Sequence, residues 1–157
     1  MQKITPFLWF DGNAEEAMDF YHSVFKNSKI VYKNYYPEGM PMAGKLMTGT
    51  ISIEGQDFHV LNGGPQFTFT EAVSFFVNCE TQEEVDYLWD RLTENGGAPS
   101  MCGWLKDKYG LSWQIIPSAL GKLMNDPDRV KAGRVMQAMM KMRKIIIADL
   151  QKAYDEA

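Results

Sequence analysis

The chain contains two histidines and two cysteines, the residue types that most often supply transition-metal ligands and nucleophiles. His22 and His59 belong to no His-x-Glu or His-Glu-x-x-His motif, so no local metal-binding motif is present. Cys79 and Cys102 are too few for a disulfide framework and lack the spacing of a metal finger. A Cys102–His59 pair would supply a nucleophile and its base, although a small buried cysteine is the simpler interpretation of Cys102.

The composition is that of an ordinary globular domain. Apolar residues make up 45% of the 157 residues and charged residues 23%, and this length can bury a sizeable core. The net charge of −4 provides no basic surface for nucleic acid or for an anionic membrane. No apolar run is long enough to span a bilayer, and residues 1–10 lack the features of a signal peptide. We therefore expect a cytoplasmic protein that binds neither nucleic acid nor membranes.

A faint internal repeat indicates which elements position these residues. The pattern of Gly55 to Leu61 returns at Gly110 to Ile116: glycine, two spacers, an aromatic, a polar residue and two aliphatics. Two half-length copies predict an α+β fold in which two βαβββ units form a curved mixed sheet around a shared cleft, followed by C-terminal helices. The chain is then one domain, 1–157, with unit one at about 1–65, unit two at about 72–117 and a helical tail at 118–157.

In unit one, the pattern predicts one helix and the strands after it. Asn13 and Glu16 have the spacing of a capping box, and apolar residues follow at helical spacing. Residues 29–36, 46–53 and 56–61 are rich in β-branched and aromatic side chains. They predict three strands, the last two joined by a turn at Glu54-Gly55.

Unit two repeats this order in a shorter form. Thr81 with Glu84 is a second capping box, and Asn95-Gly96-Gly97 is a strong helix stop. The strands that follow are compressed between residues 100 and 116, with turns predicted at Gly103 and Tyr109-Gly110.

Beyond Pro117 the pattern is helical. Short helices are predicted at 118–124 and 146–154, and Asp126 as N-cap with Pro127 at the first helical position opens another between them. That middle helix carries an apolar stripe of Ala132, Val135, Met136, Met139 and Met140. A methionine-rich stripe is typical of a core or of a contact between subunits.

Five stretches of the chain carry a resemblance to a known family. They are Ile4 to Gly12, Phe20-Tyr21 with Val24-Phe25, Leu61 to Pro65, Cys102 to Gln114, and Arg134 to Met139. Together with the repeated strand–helix–strands order, they resemble the PhnB-like subgroup of the vicinal oxygen chelate (glyoxalase/bleomycin-resistance/dioxygenase) superfamily. This subgroup is often labelled demethylubiquinone methyltransferase-like. The run from Cys102 to Gln114 is the most specific of the five.

The resemblance implies four positions at which metal-using members place ligands, usually His or Glu, on the first and last strands of each unit. In this sequence those positions hold Thr5, His59, Ser74 and Gln114. Hydroxyls and an amide are poor ligands for transition metals, and His59 alone is a natural one. We therefore predict that the metal site is lost, that no cofactor is bound, and that the four side chains form a neutral polar floor for a ligand.

Aromatic residues supply the predicted walls of the ligand site. The candidates are Phe7, Trp9, Phe76, Trp104, Tyr109 and Trp113. Because neighbouring residues of a strand face opposite sides, only about half of them can contact a ligand. Trp9, Trp104 and Tyr109 are the ligand-binding candidates among them. Asn62-Gly63-Gly64 is either a nest of backbone donors or a tight turn; we favour the turn, with the Asn62 side chain at the rim of the cleft as a further candidate.

Three functions compete. Metal-free binding of a small molecule in an aromatic-lined cleft is preferred, and a metal-dependent lyase, isomerase or dioxygenase is the alternative. A methyltransferase is least favoured, because the first strand–helix junction, Phe10 to Ala14, holds one glycine and not a glycine-rich nucleotide turn. Whether the chain is an enzyme stays open. The resemblance also implies a homodimer, whose interface would bury the methionine stripe.

Overall fold

Each half of the chain builds one four-stranded mixed sheet in the computed structural model, which describes residues 1–156. The boundary between the halves falls after Phe69, between the two predicted units. The α+β class, the two repeated units and the C-terminal helices are confirmed. Within residues 1–156, no helix combines the length and the apolar character needed to cross a membrane.

The first unit follows the predicted order. Its elements are β1 (Phe7–Phe10), α1 (Ala14–Val24), β2 (Ser28–Tyr35), β3 (Leu46–Ile53) and β4 (Gln56–Asn62). The strand order is β1-β4-β3-β2; β1 is parallel to β4 and the other pairs are antiparallel. The β3–β4 turn has Glu54 and Gly55 at φ values of 51° and 79°, which is the backbone that a tight hairpin turn requires.

One face of this sheet is covered by α1. Met18 of α1 lies so close to Gly49 of β3 that a Cβ there would sit 2.7 Å from the Met18 sulfur. Val60 is the partner of Gly49 on β4, and Leu8 is the partner of Val60 on β1, so these residues share that face. Val60 and Leu8 are buried. The alternate residues of the same strands therefore lie on the opposite face.

The start of α1 is fixed from a distant strand. The predicted capping box is wrong, since the Asn13 side chain makes no cap hydrogen bond. Instead, Asn62 Oδ1 accepts from the Ala14 N–H at 2.9 Å, and Asn62 Nδ2 donates to the Leu46 carbonyl at 2.9 Å. Asn62 is 1% exposed. The prediction that its side chain lies at a cleft rim is therefore wrong: it ties the end of β4 to the starts of α1 and β3.

The second unit repeats this topology and extends it with helices. Its elements are β5 (Ser74–Cys79), α2 (Gln82–Thr93), a 3-10 turn (Glu94–Gly96), β6 (Ala98–Pro99), β7 (Trp104–Lys106), β8 (Ser112–Pro117), α3 (Ser118–Met124), α4 (Arg129–Met140) and α5 (Ile147–Asp155). The strand order is β5-β8-β7-β6, with β5 parallel to β8. The second predicted cap is confirmed, because Thr81 Oγ1 accepts from the Glu84 N–H.

A buried carboxylate shapes the turn between β7 and β8. Asp107 is 2% exposed, and its Oδ1 accepts from the backbone N–H groups of Tyr109 at 2.9 Å and Leu111 at 3.1 Å. Its Oδ2 accepts from Trp113 Nε1 at 2.9 Å. A buried charge is tolerated when its lone pairs are used in this way. The family-like run from Cys102 to Gln114 is thus organised around Asp107.

The tail helices differ from the prediction at one cap. Helix α4 begins at Arg129 with Asp128 as N-cap, whose side chain accepts from the Val130 and Lys131 N–H groups, so the predicted cap at Asp126 is wrong. The Asp126 carboxylate is used elsewhere. It accepts from the Asp128 N–H at 2.8 Å and from the Tyr154 hydroxyl at 2.8 Å.

The predicted methionine stripe is divided between core and surface. Val135 is fully buried in a small core that also contains Ile116, Leu120, Ile145 and Leu150, and Met139 packs against this core. Met136 and Met140 are 41% and 59% exposed. Ala132, Val135 and Met139 therefore pack inward, and Met136 and Met140 face outward.

Candidate functional site

The uncovered face of the first sheet carries a phenylalanine beside a histidine. His59 of β4 is the register partner of Phe7 on β1, and their ring centroids are 5.3 Å apart at 62°. Phe7 is 56% exposed. On the other side of His59, Thr50 Oγ1 lies 2.7 Å from His59 Nδ1. Thr5 stands two residues before Phe7, outside β1 and half-buried.

The second sheet repeats this arrangement with different polar groups. Gln114 of β8 is the partner of Phe76 on β5 and of Trp104 on β7, so the three share one face. Phe76 is 53% exposed, and Trp104 is half-buried. Gln114 Nε2 donates to Ser74 Oγ at 2.9 Å. Each sheet thus presents an exposed phenylalanine next to a side chain that can exchange hydrogen bonds with a ligand.

The two sets of polar residues occupy matching places in the two units. Thr5 precedes the Phe7–His59 pair by two residues, as Ser74 precedes the Phe76–Gln114 pair. Side chains two apart in a strand share a face, so Ser74 lies on the face of Phe76 and Gln114. Thr5 corresponds to Ser74 in sequence position but lies before β1 begins.

The donor sets do not fit the divalent ion that metal-using superfamily members hold. In the first unit His59 is the one good ligand, and its Nδ1 already faces Thr50. In the second unit Ser74 and Gln114 offer a hydroxyl and an amide, which are bonded to each other. Across residues 1–156, no group of three His, Cys, Asp or Glu side chains is arranged to hold a metal ion.

Trp9 lies on the same face as Phe7 and packs against a glycine turn. Its Nε1 donates to the Gly64 carbonyl at 2.9 Å, and its ring meets Phe67 edge to face at 4.9 Å. A Cβ on Gly63 would sit 2.3 Å from the Trp9 ring, so only glycine permits this contact. The Gly63 N–H donates to the Phe10 carbonyl at 2.9 Å. The Gly63 N–H and the Gly64 carbonyl are therefore both engaged beneath Trp9.

The aromatic residues of unit two divide between the two faces of the sheet. Trp113 is 3% exposed and belongs to the buried face, where its ring meets Phe75 at 5.5 Å. It therefore does not line a ligand site. Tyr109 is half-buried in the turn after Asp107, with Lys108 Nζ 5.4 Å from its ring centroid. Trp104 is the member of the set that lies directly beside Gln114.

Two residues on the face of unit two were not predicted to belong to the ligand site. Lys106 lies two residues after Trp104 and is the partner of Ser112, which lies two before Gln114. Lys106 pairs with Glu71, and the hydrogen bond from this lysine lowers the pKa of the Glu71 carboxyl below its ordinary value. Ser112 is 1% exposed and its hydroxyl has no hydrogen-bond partner within residues 1–156. The alternation of side chains along a strand could have identified both, because Ser112 lies two residues before Gln114 and Lys106 two residues after Trp104.

The two thiols differ in their surroundings. Cys79 is fully buried, and burial, with smaller contributions from Glu84 and Glu80, raises the pKa of its thiol to about 12. The thiolate is the reactive form, so this cysteine is a packing residue. Cys102 is half-buried and sits at a φ of 59° in the turn before β7.

Comparison with protein families gives one match that covers most of the chain. The family described as 3-demethylubiquinone-9 3-methyltransferase matches residues 2–116. The tail from Pro117 onward lies beyond the matched region. Among curated proteins, no match is found.

Solved structures show the same fold. The PhnB protein from Bacillus cereus, described as a 3-demethylubiquinone-9 3-methyltransferase, is 42% identical with a TM-score of 0.70, over 74% of this chain and 100% of that one. Protein PA1353 from Pseudomonas aeruginosa is 20% identical with a TM-score of 0.63, over 74% and 98%. The fosfomycin resistance protein FosX from Listeria monocytogenes, complexed with Mn(II) and sulfate, is 14% identical with a TM-score of 0.50, over 72% and 88%. The last two are similar in fold alone.

Proposed function

This chain belongs to the 3-demethylubiquinone-9 3-methyltransferase family and has the fold of the vicinal oxygen chelate superfamily, and we propose that it binds a small molecule without a metal ion. The observation that carries the proposal is the repeated pairing of an exposed phenylalanine with a polar side chain. The pairs are Phe7 with His59 and Phe76 with Gln114. Apolar and aromatic surface with a few placed polar groups is typical of small-molecule sites.

The face of unit two indicates what kind of ligand would fit. Phe76 and Trp104 flank Gln114 on either side and offer ring surfaces for a planar apolar group. Gln114 and Ser74 can donate and accept hydrogen bonds. Lys106, two residues along β7 from Trp104, supplies a positive charge that is paired with Glu71 and that an anionic ligand would share with this carboxylate. We propose a ligand with a flat aromatic or unsaturated part and an oxoacid group.

A thermal-shift screen of small aromatic and oxoacid compounds tests this proposal. A compound that binds only the folded chain raises the melting temperature as its concentration rises. Replacing Trp104 with alanine is expected to weaken the best compound about tenfold, since a desolvated aromatic contact contributes roughly that much. Val130→Ala, at a 70% exposed position of α4, is the control and should leave the affinity unchanged. Equal effects of the two variants would contradict the proposal.

The family name describes a methyltransferase, and we propose that this chain does not use the nucleotide site of a Rossmann-type one. Such a site needs a glycine-rich turn and a helix start whose N–H groups face the cofactor. Here one glycine, Gly12, precedes α1, and Asn62 occupies the Ala14 N–H. Calorimetry with S-adenosylmethionine should therefore give no saturable heat. Micromolar binding of S-adenosylmethionine would contradict this proposal and support a methyltransferase activity.

We also propose that the chain is a cytoplasmic homodimer. Met136 and Met140 leave an adaptable apolar surface on α4, of the kind that a second copy would cover. Cys79 and Cys102 are both free thiols, as in a reducing compartment. Light scattering should give a mass near twice 17.9 kDa. A monomer mass at micromolar concentration would overturn the dimer.

A further inference from the structure

We propose that the tail segment 142–147, held by Gln82, is a positioning element for the ligand face of unit two. This inference rests on the proposed function and names what shapes the site. The family match ends at residue 116, and 74% of this chain matches the whole length of the Bacillus cereus protein. The tail therefore lies beyond the part that is shared with that protein, although Arg134 to Met139 belong to the stretches that resemble the family. A role in the site would make the ligand preference depend on residues outside the matched part.

The tail holds the turn from which Trp104 emerges. Cys102 and Gly103 have φ values of 59° and 82°, which directs their consecutive N–H groups to one side. The Cys102 N–H donates to the Met142 carbonyl and the Gly103 N–H to the Arg143 carbonyl, both at 2.8 Å. A non-glycine residue in the left-handed region is strained unless its surroundings fix it. Here the two hydrogen bonds to the tail supply that fixation.

An apolar contact joins the same segment to the end of β8. Ile145 is fully buried, and an ideal Cβ on Gly103 would lie 3.1 Å from its Cγ1 and 2.6 Å from the Ile116 Cδ1. Gly103 is thus pressed between the tail and β8. Ile116 stands two residues after Gln114 and therefore shares its face. The tail packs at the end of the surface on which Gln114 and Trp104 lie.

Gln82 fastens this segment to α2. Its Nε2 donates to the Ile145 carbonyl at 3.0 Å, and its Oε1 accepts from the Ile147 N–H at 2.7 Å. The Gln82 amide therefore satisfies one backbone carbonyl and one backbone N–H of the tail segment. Lys144 adds an ion pair to Asp86 at 2.9 Å, and the hydrogen bond from Gln82, together with Lys144, lowers the pKa of the Asp86 carboxyl.

Loss of the Gln82 amide should loosen the turn without unfolding the sheet. The core residues Val135 and Leu150 still pack the tail helices. Residues 142–147 would separate from Cys102 and Gly103 more often, and Trp104 would be held beside Gln114 by the pairing of β7 with β8 alone. Gln82 is thus a positioning residue that acts on the ligand face through the tail and the turn.

The test uses the full chain with 8-anilinonaphthalene-1-sulfonate, an aromatic oxoacid, as the probe. Gln82→Ala is expected to weaken the probe about tenfold in a fluorescence titration, the effect of two lost hydrogen bonds. It should also speed the reaction of Cys102 with a disulfide reagent about tenfold, because labelling follows the opened fraction. The fully buried Cys79 is the internal reference. Gln151→Ala, at an exposed glutamine of α5, is the control and should change neither readout.

The outcomes separate this inference from the function on which it rests. Faster Cys102 labelling in Gln82→Ala with an unchanged probe affinity would overturn the inference, since the tail would then be structural only. Unchanged labelling would overturn it too. A wild-type chain that does not bind the probe, or binds it equally after Trp104→Ala, would contradict the proposed function. In that case faster labelling would still show that Gln82 holds the turn.

Discussion

Replacement of Asn62 with alanine is expected to lower the free energy of unfolding by about 3 kcal/mol, because two buried backbone groups lose their partners together. The Asn62 side chain bonds the Ala14 N–H and the Leu46 carbonyl, and the residue is 1% exposed. Water cannot replace these bonds in a closed core. Helix α1 also loses the side-chain hydrogen bond at its N-terminus, because Asn13 supplies none there. Urea denaturation of both proteins measures the difference.

Asn13→Ala is the matched control for this prediction. Asn13 has the sequence pattern of a cap, yet its side chain makes no cap hydrogen bond. Its replacement should change the free energy of unfolding by less than about 0.5 kcal/mol, because this half-buried side chain makes no cap hydrogen bond that the change would remove. A larger loss from Asn13→Ala than from Asn62→Ala would mean that α1 is capped locally after all.

Replacement of Asp107 with asparagine is expected to cost about 3 kcal/mol of stability, because charge-assisted hydrogen bonds are the strong ones and one acceptor becomes a donor. The carboxylate accepts from two backbone N–H groups and from Trp113 Nε1. An amide has one oxygen. It must therefore leave at least one buried donor facing an NH2 group. Denaturation followed by tryptophan fluorescence measures the loss.

Asp90→Asn serves as the control, because Asp90 is an exposed residue of α2 and undergoes the same chemical change. Its effect should stay within about 0.5 kcal/mol. If Asp107→Asn is as mild as Asp90→Asn, the buried carboxylate does not hold the β7–β8 turn. The family-like run around it would then need another explanation.

The elements could be predicted from the sequence where one local pattern decides them. The strand Leu46–Ile53 was predicted with the bounds it has, because β-branched residues run up to the Glu54-Gly55 turn. Thr81 was recognised as a cap because its partner, the Glu84 N–H, lies three residues away. Such signals are complete within a short window of sequence.

The two caps that were missed differ in their cause. The Ala14 N–H donates to the side chain of Asn62, 48 residues later, so the local pattern at Asn13 could not show this bond. At α4 the cap is local, because Asp128 accepts from the Val130 and Lys131 N–H groups, while the Asp126 carboxylate binds the Tyr154 hydroxyl 28 residues away. A tertiary partner therefore replaces the local cap at α1 and not at α4.

The candidate site also combines residues that the sequence could indicate with residues that only the structure brings together. His59 and Gln114 were named through the family resemblance and are the register partners of Phe7 and Phe76, and Ser74 lies two residues before Phe76. Thr50, beside His59, and Lys106, on the face of Gln114, were missed because they enter through strand pairing. A residue's neighbours across a sheet depend on register, which a single sequence does not state.

The absence of a metal requirement is the central claim, and one measurement tests it directly. The chain is purified without chelator, its metal content is determined by elemental analysis, and the best ligand from the screen is titrated calorimetrically before and after treatment with EDTA. We predict transition metal well below one equivalent and the same affinity in both titrations, since Thr5, His59, Ser74 and Gln114 supply neutral hydrogen-bonding groups. One equivalent of metal whose removal abolishes ligand binding, with the same loss in His59→Ala, would contradict the account.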